Sequence, residues 1–156
     1  MLDEKLTALV LGSDSPVVGP ASASQLRAYA EQPEPPLADQ AQVETMIGKL
    51  AIATAQPKVS EAEAAARVDL YWLALRDLPV DDLRAAFVEL VKTATFLPTP
   101  AEVRTAAVKQ GSPRRFAKSR ARYLAMLHDT KWKPPVPEAD MVDPAEVRAF
   151  LAARFG

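Results

Sequence analysis

The chain has 156 residues, of which 49% are hydrophobic and 25% charged, and its formal net charge is -1. This composition is close to that of an average globular domain, so the chain can bury a hydrophobic core without help from a metal or a disulfide. The absence of cysteine excludes disulfides, thiolate zinc sites and cysteine nucleophiles. No apolar run approaches the roughly 20 residues that span a bilayer, and the first residues lack the layout of a signal peptide. We therefore expect a cytoplasmic protein with no membrane partner.

Residues 1–36 form a segment rich in proline and alanine, which glycines and prolines interrupt between Gly12 and Pro36. Leucine and valine between positions 2 and 10 allow one or two amphipathic turns, and a short helix over residues 25–30 is compatible with the sequence. The interruptions favour a flexible arm that docks loosely, if it docks at all.

The next part of the chain has the apolar spacing of amphipathic helices. It predicts three of them, over residues 37–55, 61–77 and 80–94. Ser60 and Glu63 predict a capping box at the start of the second helix. Asp81 and Asp82 fall in the first turn of the third, where carboxylates interact favourably with the helix dipole.

Three later helices are predicted from one recurring signal, a capping residue followed by proline at the first helical position. The signal occurs as Thr99-Pro100, Ser112-Pro113 and Asp143-Pro144. The helices predicted from it span residues 100–109, 113–129 and 144–154.

Together these elements predict an all-α fold. We expect a small helical bundle over residues 37–130, preceded by the arm and followed by a proline-rich link and a C-terminal helix over residues 131–156. Apolar side chains on the facing sides of the helices are the core candidates: Trp72, Leu75, Leu78, Phe87, Leu90, Phe96 and Val103. Trp72 and Phe87 are expected to be buried between helices.

Residues that could carry catalysis are scarce. His128 is the single histidine, and near a helix C-terminus it is more typical of a dipole partner than of a catalyst. Asp81 and Asp82 are adjacent, so on a helix their side chains point about 100° apart. No glycine-rich phosphate loop or nucleophile elbow is present. We therefore expect a protein that is not an enzyme, with no cofactor, metal or small-molecule substrate.

The helix over residues 113–129 carries a basic stripe, with cations at i, i+4 and i+8. The candidate binding residues are Arg114, Arg115, Lys118 and Arg122. Because Phe116 and Tyr123 lie on the opposite side, we expect the helix to dock with its basic face outward. Such a face could follow the phosphates of a nucleic acid without reading its sequence, bind an acidic protein partner, or be a solvated face paired with the acidic N-terminal half.

The segment from Tyr71 to Ala107 combines an aromatic-rich helix, a short proline link, a second amphipathic helix and the sequence F-L-P-T-P-A-E. It resembles the small phage-encoded family of replicative-helicase loaders and inhibitors. In that family a tryptophan-bearing helix leads through a D-x-P turn, and F-x-P-T-x-x-E opens a following helix. The resemblance covers about residues 43–107. The matching positions are Trp72, Leu75, Asp77, Pro79, Ala86, Phe96, Pro98, Thr99 and Glu102.

This resemblance implies an ATP-independent adaptor for DNA replication that binds a hexameric replicative helicase and loads or inhibits it. The family's helicase contact is associated with its C-terminal part, so the matched segment supplies no contact residue. The alternatives are a nucleic-acid-binding accessory or regulatory protein using the helix over residues 113–129, and a plain protein-interaction module.

Overall fold

The protein was analysed as a computed structural model that describes residues 2–136 and 143–155. Within these residues the chain forms seven α-helices and no strand, so the predicted all-α class is confirmed. The helices are α1 (Glu4–Leu11), α2 (Pro20–Ala30), α3 (Gln40–Ala53), α4 (Glu61–Leu75), α5 (Val80–Thr93), α6 (Pro100–Lys131) and α7 (Pro144–Phe155). Part of the predicted link, residues 137–142, lies outside the described residues. Nowhere in the described part is a helix both long and apolar enough to cross a bilayer.

Helix α6 is continuous over 32 residues, so the prediction of two helices separated near Ser112 is wrong. Ser112 is not a cap: its hydroxyl donates to the carbonyl oxygen of Val108 at 3.2 Å, inside the helix. Pro113 removes only one intrahelical N–H donor. The helix continues through it because α5 packs on the first half of α6 and α2 packs on the second.

Two hydrophobic cores lie along this long helix. The first is formed by α3, α4, α5 and the first half of α6. It includes Leu75, Leu78 and Val103, as predicted. The second is formed by α1, α2 and the second half of α6. Helix α6 is therefore the one element that both cores share.

The second core shows that the prediction of a flexible arm over residues 1–36 is wrong for its two helices. Leu6, Val10 and Leu26 are at most 2% exposed. Asp3 caps α1 by accepting from the amide of Leu6 at 2.8 Å, and Pro20 occupies the first turn of α2. Pro20 therefore begins a helix, and the other prolines that suggested a flexible arm lie in the connections between helices.

The aromatic residues of the first core are arranged differently from the prediction. Tyr71 is the fully buried ring, and its hydroxyl donates to the carbonyl oxygen of Pro98. Trp72 and Phe87 are only half-buried and pack at the edge of this core. Phe96, also predicted as core, is 72% exposed. Since neighbouring helical residues point about 100° apart, burying Tyr71 turns Trp72 towards the surface.

Residues 31–39 connect the two cores. The amide of Val80 donates to the carbonyl of Pro36 at 2.9 Å, and the amide of Ala38 donates to the carbonyl of Leu78 at 3.2 Å. These bonds hold the connecting segment against the start of α5. Asp39 then caps α3 in a full capping box with Gln42.

Candidate functional site on the long helix

The basic residues of α6 are turned towards the rest of the chain. Lys118 is 4% exposed, and the side chain of Arg114 is 24% exposed. By contrast, Phe116 and Tyr123 are 51% and 44% exposed. The prediction of an outward basic face is therefore wrong for Arg114 and Lys118. The side of α6 that packs on the other helices carries small residues such as Ala117 and Ala121, and not Phe116 and Tyr123.

Arg114 is held in a bidentate ion pair with Asp82 of α5. Both nitrogen–oxygen distances are 2.9 Å, and the Asp82 side chain is only 9% exposed. A second carboxylate, that of Glu34, lies 3.6 Å from Nε of Arg114. The hydrogen bond to Asp82 raises the pKa of Arg114 above its ordinary value. Arg114 thus fastens α5 and the connecting segment to the middle of α6.

Gly111 makes this ion pair possible. A Cβ at this position would lie 2.6 Å from Oδ2 of Asp82 and 3.0 Å from Nη2 of Arg114. Real Cβ atoms do not approach other atoms as closely as 2.6 Å. A side chain at this position would therefore displace the carboxylate of Asp82, which lies directly against the backbone of α6.

Lys118 binds the segment that follows α2. Its ammonium group donates to the carbonyl oxygen of Gln32 at 2.8 Å and lies 3.2 Å from a carboxylate oxygen of Glu34. The amine is thus paired with an acid of the N-terminal half, as one of the three interpretations expected, but it is buried and does not belong to a solvated face.

Arg115 and Arg122 are the two exposed members of the predicted set. Arg122 donates to the carbonyl of Ala30, the last residue of α2, at 3.2 Å. Arg115 folds back on its own helix and donates to the carbonyl of Val108 at 2.6 Å. Both guanidinium groups therefore retain donors that face solvent.

Sequence reasoning missed that several of these cations serve the carbonyl ends of other helices. Arg120 donates to the carbonyls of Leu9 and Asp14 and to the hydroxyl of Ser15. The last carbonyls of a helix lack intrahelical partners and carry negative partial charge, so the guanidinium groups of Arg120 and Arg122 bind there. His128 contacts the connection between α1 and α2 instead, with Nδ1 2.6 Å from the carbonyl oxygen of Val18. One sequence feature could have indicated this role: Arg120 falls on the apolar side of the helix, where its guanidinium group needs a partner within the protein.

Most residues of the helicase-loader resemblance have roles in the fold. Leu75 and Ala86 are buried in the first core. Asp77 forms an ion pair with Arg104 at 2.6 Å, and this hydrogen bond lowers the pKa of the Asp77 carboxyl. Thr99 caps α6 by accepting from the amide of Glu102 at 3.2 Å. The matched segment therefore specifies a packed helical unit.

A second candidate surface is presented by α7, where every described side chain is exposed. One side of this helix carries four large apolar residues, Val147, Phe150, Leu151 and Phe155. Arg154 lies within the same side, with its guanidinium carbon 5.9 Å from the centre of the Phe150 ring. Aromatic residues combined with arginine are typical of the energetic centre of a protein interface.

Among residues 2–136 and 143–155, no group of three or more histidine or acidic side chains has the arrangement of a metal site. Comparisons with protein-family models, with curated proteins and with solved structures found no match to this chain.

Proposed function

We propose that the protein is a non-enzymatic adaptor for DNA replication that binds a hexameric replicative helicase and loads or inhibits it, using α7 as its contact. The single observation that carries the contact is that the large apolar side chains of α7 are all exposed, by 40% to 78%. Helices of this kind commonly bind by placing aromatic and aliphatic anchors in an apolar groove of a partner. The choice of a helicase as partner rests on the resemblance over residues 43–107.

In this proposal the chain has a packed part and a part that contacts the helicase. The two cores, the Arg114–Asp82 pair and the cations that bind helix ends all stabilise residues 4–131. Helix α7 adds no buried residue to them. In the family that the matched segment resembles, the helicase contact is likewise associated with the C-terminal part.

The nucleic-acid alternative receives less support from the geometry. Of its four candidate residues, Lys118 is buried and Arg114 is held by two carboxylates. Only Arg115 and Arg122 remain exposed on that face. Two phosphate contacts give weak, salt-sensitive binding, and the net charge of -1 offers no long-range attraction to DNA.

The test is co-elution of the protein with a purified hexameric replicative helicase from its host on a size-exclusion column. The wild type should co-elute, and Phe150→Asp should not, because a charge cannot enter an apolar groove. Phe96→Asp is the matched control, since Phe96 is also an exposed phenylalanine but lies outside α7. Failure of the wild type to bind the helicase, or equal binding by Phe150→Asp, would reject the proposal.

A further inference from the structure

The outward face of α6 is an uncharged stripe along almost the whole helix. Its members share one side of the helix at 100° per residue. They are Ala101, Thr105, Val108, Ser112, Phe116, Ser119, Tyr123, Met126 and Thr130, and all nine are exposed. A solvated helix face normally carries charged residues, so a stripe of this length without one indicates a surface that another helix covers.

Three of the five hydroxyls of the stripe, those of Thr105, Ser112 and Thr130, are already satisfied within α6. The hydroxyl of Thr105 donates to the carbonyl of Ala101, that of Ser112 to Val108 and that of Thr130 to Met126, at 3.0, 3.2 and 3.1 Å. Burying a hydroxyl is costly when it loses a hydrogen bond, and these three lose none. At these three positions the stripe can therefore be covered at the cost expected of an apolar surface.

The spacing of the stripe is symmetric. Leaving out Phe116, the steps along the chain are four, three, four, seven, four, three and four residues, which read identically in both directions. Phe116 occupies the central gap. With this spacing each of these residues meets another residue of the stripe when a second copy runs antiparallel, and a two-fold dimer interface joins the same patch of both copies.

We infer that α6 pairs with α6 of a second copy in an antiparallel two-fold dimer. In this register Thr105 faces Met126 of the second copy, Val108 faces Tyr123, and Ser112 faces Ser119. Each pair sets a small side chain against a larger one or two small ones together. The two Phe116 rings meet near the axis, where the flanking serines leave room for them. Arg115 lies opposite Phe116 of the second copy, within reach of a cation–π contact.

The area of this contact indicates how tightly the two copies should bind. From Ala101 to Thr130 the helix is about 44 Å long at 1.5 Å per residue, and a helix face is about 10 Å wide. The two copies would then bury about 900 Å² together, which is below the roughly 1,000 Å² that a stable specific interface exceeds and is typical of a weak one. We therefore expect a dimer that dissociates in the micromolar range rather than a permanent one.

The first test is sedimentation equilibrium of the full chain across the micromolar range. The wild type should change from monomer to dimer, and Phe116→Asp should raise the dissociation constant by roughly tenfold or more, as expected for a central anchor. Ile52→Asp is the control, since Ile52 is 88% exposed on α3 and should leave the dissociation constant unchanged. A wild type that stays monomeric over the whole concentration range overturns the inference. That result would mean that the stripe is covered by α7 of the same chain or is not covered at all.

The second test fixes the register and uses the absence of native cysteine. A disulfide needs Cα atoms about 4.4–6.8 Å apart. A mixture of Ser112→Cys and Ser119→Cys chains should form a covalent heterodimer on mild oxidation, and neither variant alone should form a homodimer at a comparable rate. Rapid cross-linking of Ser112→Cys with itself would mean a parallel or non-specific contact and would overturn the antiparallel dimer.

Discussion

At the scale of single residues, the Arg114–Asp82 ion pair is the contact on which the centre of the molecule most depends. Its carboxylate is nearly buried, and removing one partner of such a pair leaves an uncompensated charge. Arg114→Ala should therefore lower the free energy of unfolding by about 3 kcal/mol. Arg115→Ala is the control, because Arg115 is exposed and should change stability by less than about 0.5 kcal/mol. Urea denaturation of both variants measures the difference.

Gly111→Ala gives a sharper test, since two effects predict opposite signs. Alanine favours a helix over glycine by about 1 kcal/mol, so the substitution would stabilise an ordinary helix interior. Here the added methyl group would lie 2.6 Å from the Asp82 carboxylate and displace it. We expect net destabilisation by urea denaturation. Gly48→Ala is the matched control, because no atom lies near its would-be Cβ, and it should stabilise.

Tyr71 should make the stability of the first core depend on pH. Burial raises the pKa of its hydroxyl above the ordinary value. The neutral form is thus favoured in the folded state, and its stabilising contribution is complete below about pH 10, the pKa of the unfolded chain. It is lost as the pH rises above that value. Tyr71→Phe leaves the Pro98 carbonyl without this donor and should unfold more easily at pH 8.

The measurement for Tyr71 is the difference in unfolding free energy between wild type and Tyr71→Phe from pH 8 to pH 11. Other groups titrate in both proteins and cancel in this difference. It should shrink as the pH rises above 10. A constant difference over that range would contradict the assignment of Tyr71 as the buried, hydrogen-bonded ring.

At the scale of helices, the second core makes α1 and α2 part of the folded unit. Leu26 is fully buried, so Leu26→Ala should destabilise the protein by about 2–5 kcal/mol. Leu11→Ala is the control, because Leu11 is 60% exposed. Thermal unfolding followed by circular dichroism distinguishes them. If Leu26→Ala melted together with the wild type, the N-terminal helices would not be docked as described.

The helices from residue 40 to 93 were predictable because their apolar periodicity and their caps agree. The two errors have physical reasons. Gly12 to Pro36 contains prolines that punctuate the chain, and one of them, Pro20, begins a helix that tertiary packing stabilises. Ser112-Pro113 has the residues of a helix start, but contacts on both sides of α6 outweigh the loss of one hydrogen bond.

The candidate site was less predictable than the fold. Helical periodicity correctly placed the cations of α6 on one side and Phe116 on another, yet it could not tell which side faced the protein. That choice depends on Asp82, Glu34 and the carbonyl ends of α1 and α2. These partners are distant in sequence, so a pattern confined to one helix carries no information about them.

At the scale of the whole molecule, α6 acts as the axis to which the other packed helices attach. Its first half holds α4 and α5, on which α3 packs. Its second half holds α1 and α2 through apolar contacts and cations bound to helix ends. The basic residues are thereby used to assemble the fold. Helix α7 adds no buried residue, and its large apolar side chains are exposed; in the proposed function they form the contact with the helicase.

The most direct test of this division is the dissociation constant of the complex with the purified hexameric helicase, compared between two variants. Leu151→Asp alters α7, and the double variant Arg115→Glu, Arg122→Glu reverses the two exposed cations of α6. The account predicts that Leu151→Asp weakens the complex by roughly 30-fold or more, as for an interface anchor, and that the double variant binds as tightly as the wild type. Tight binding by Leu151→Asp together with loss of binding by the double variant would contradict it.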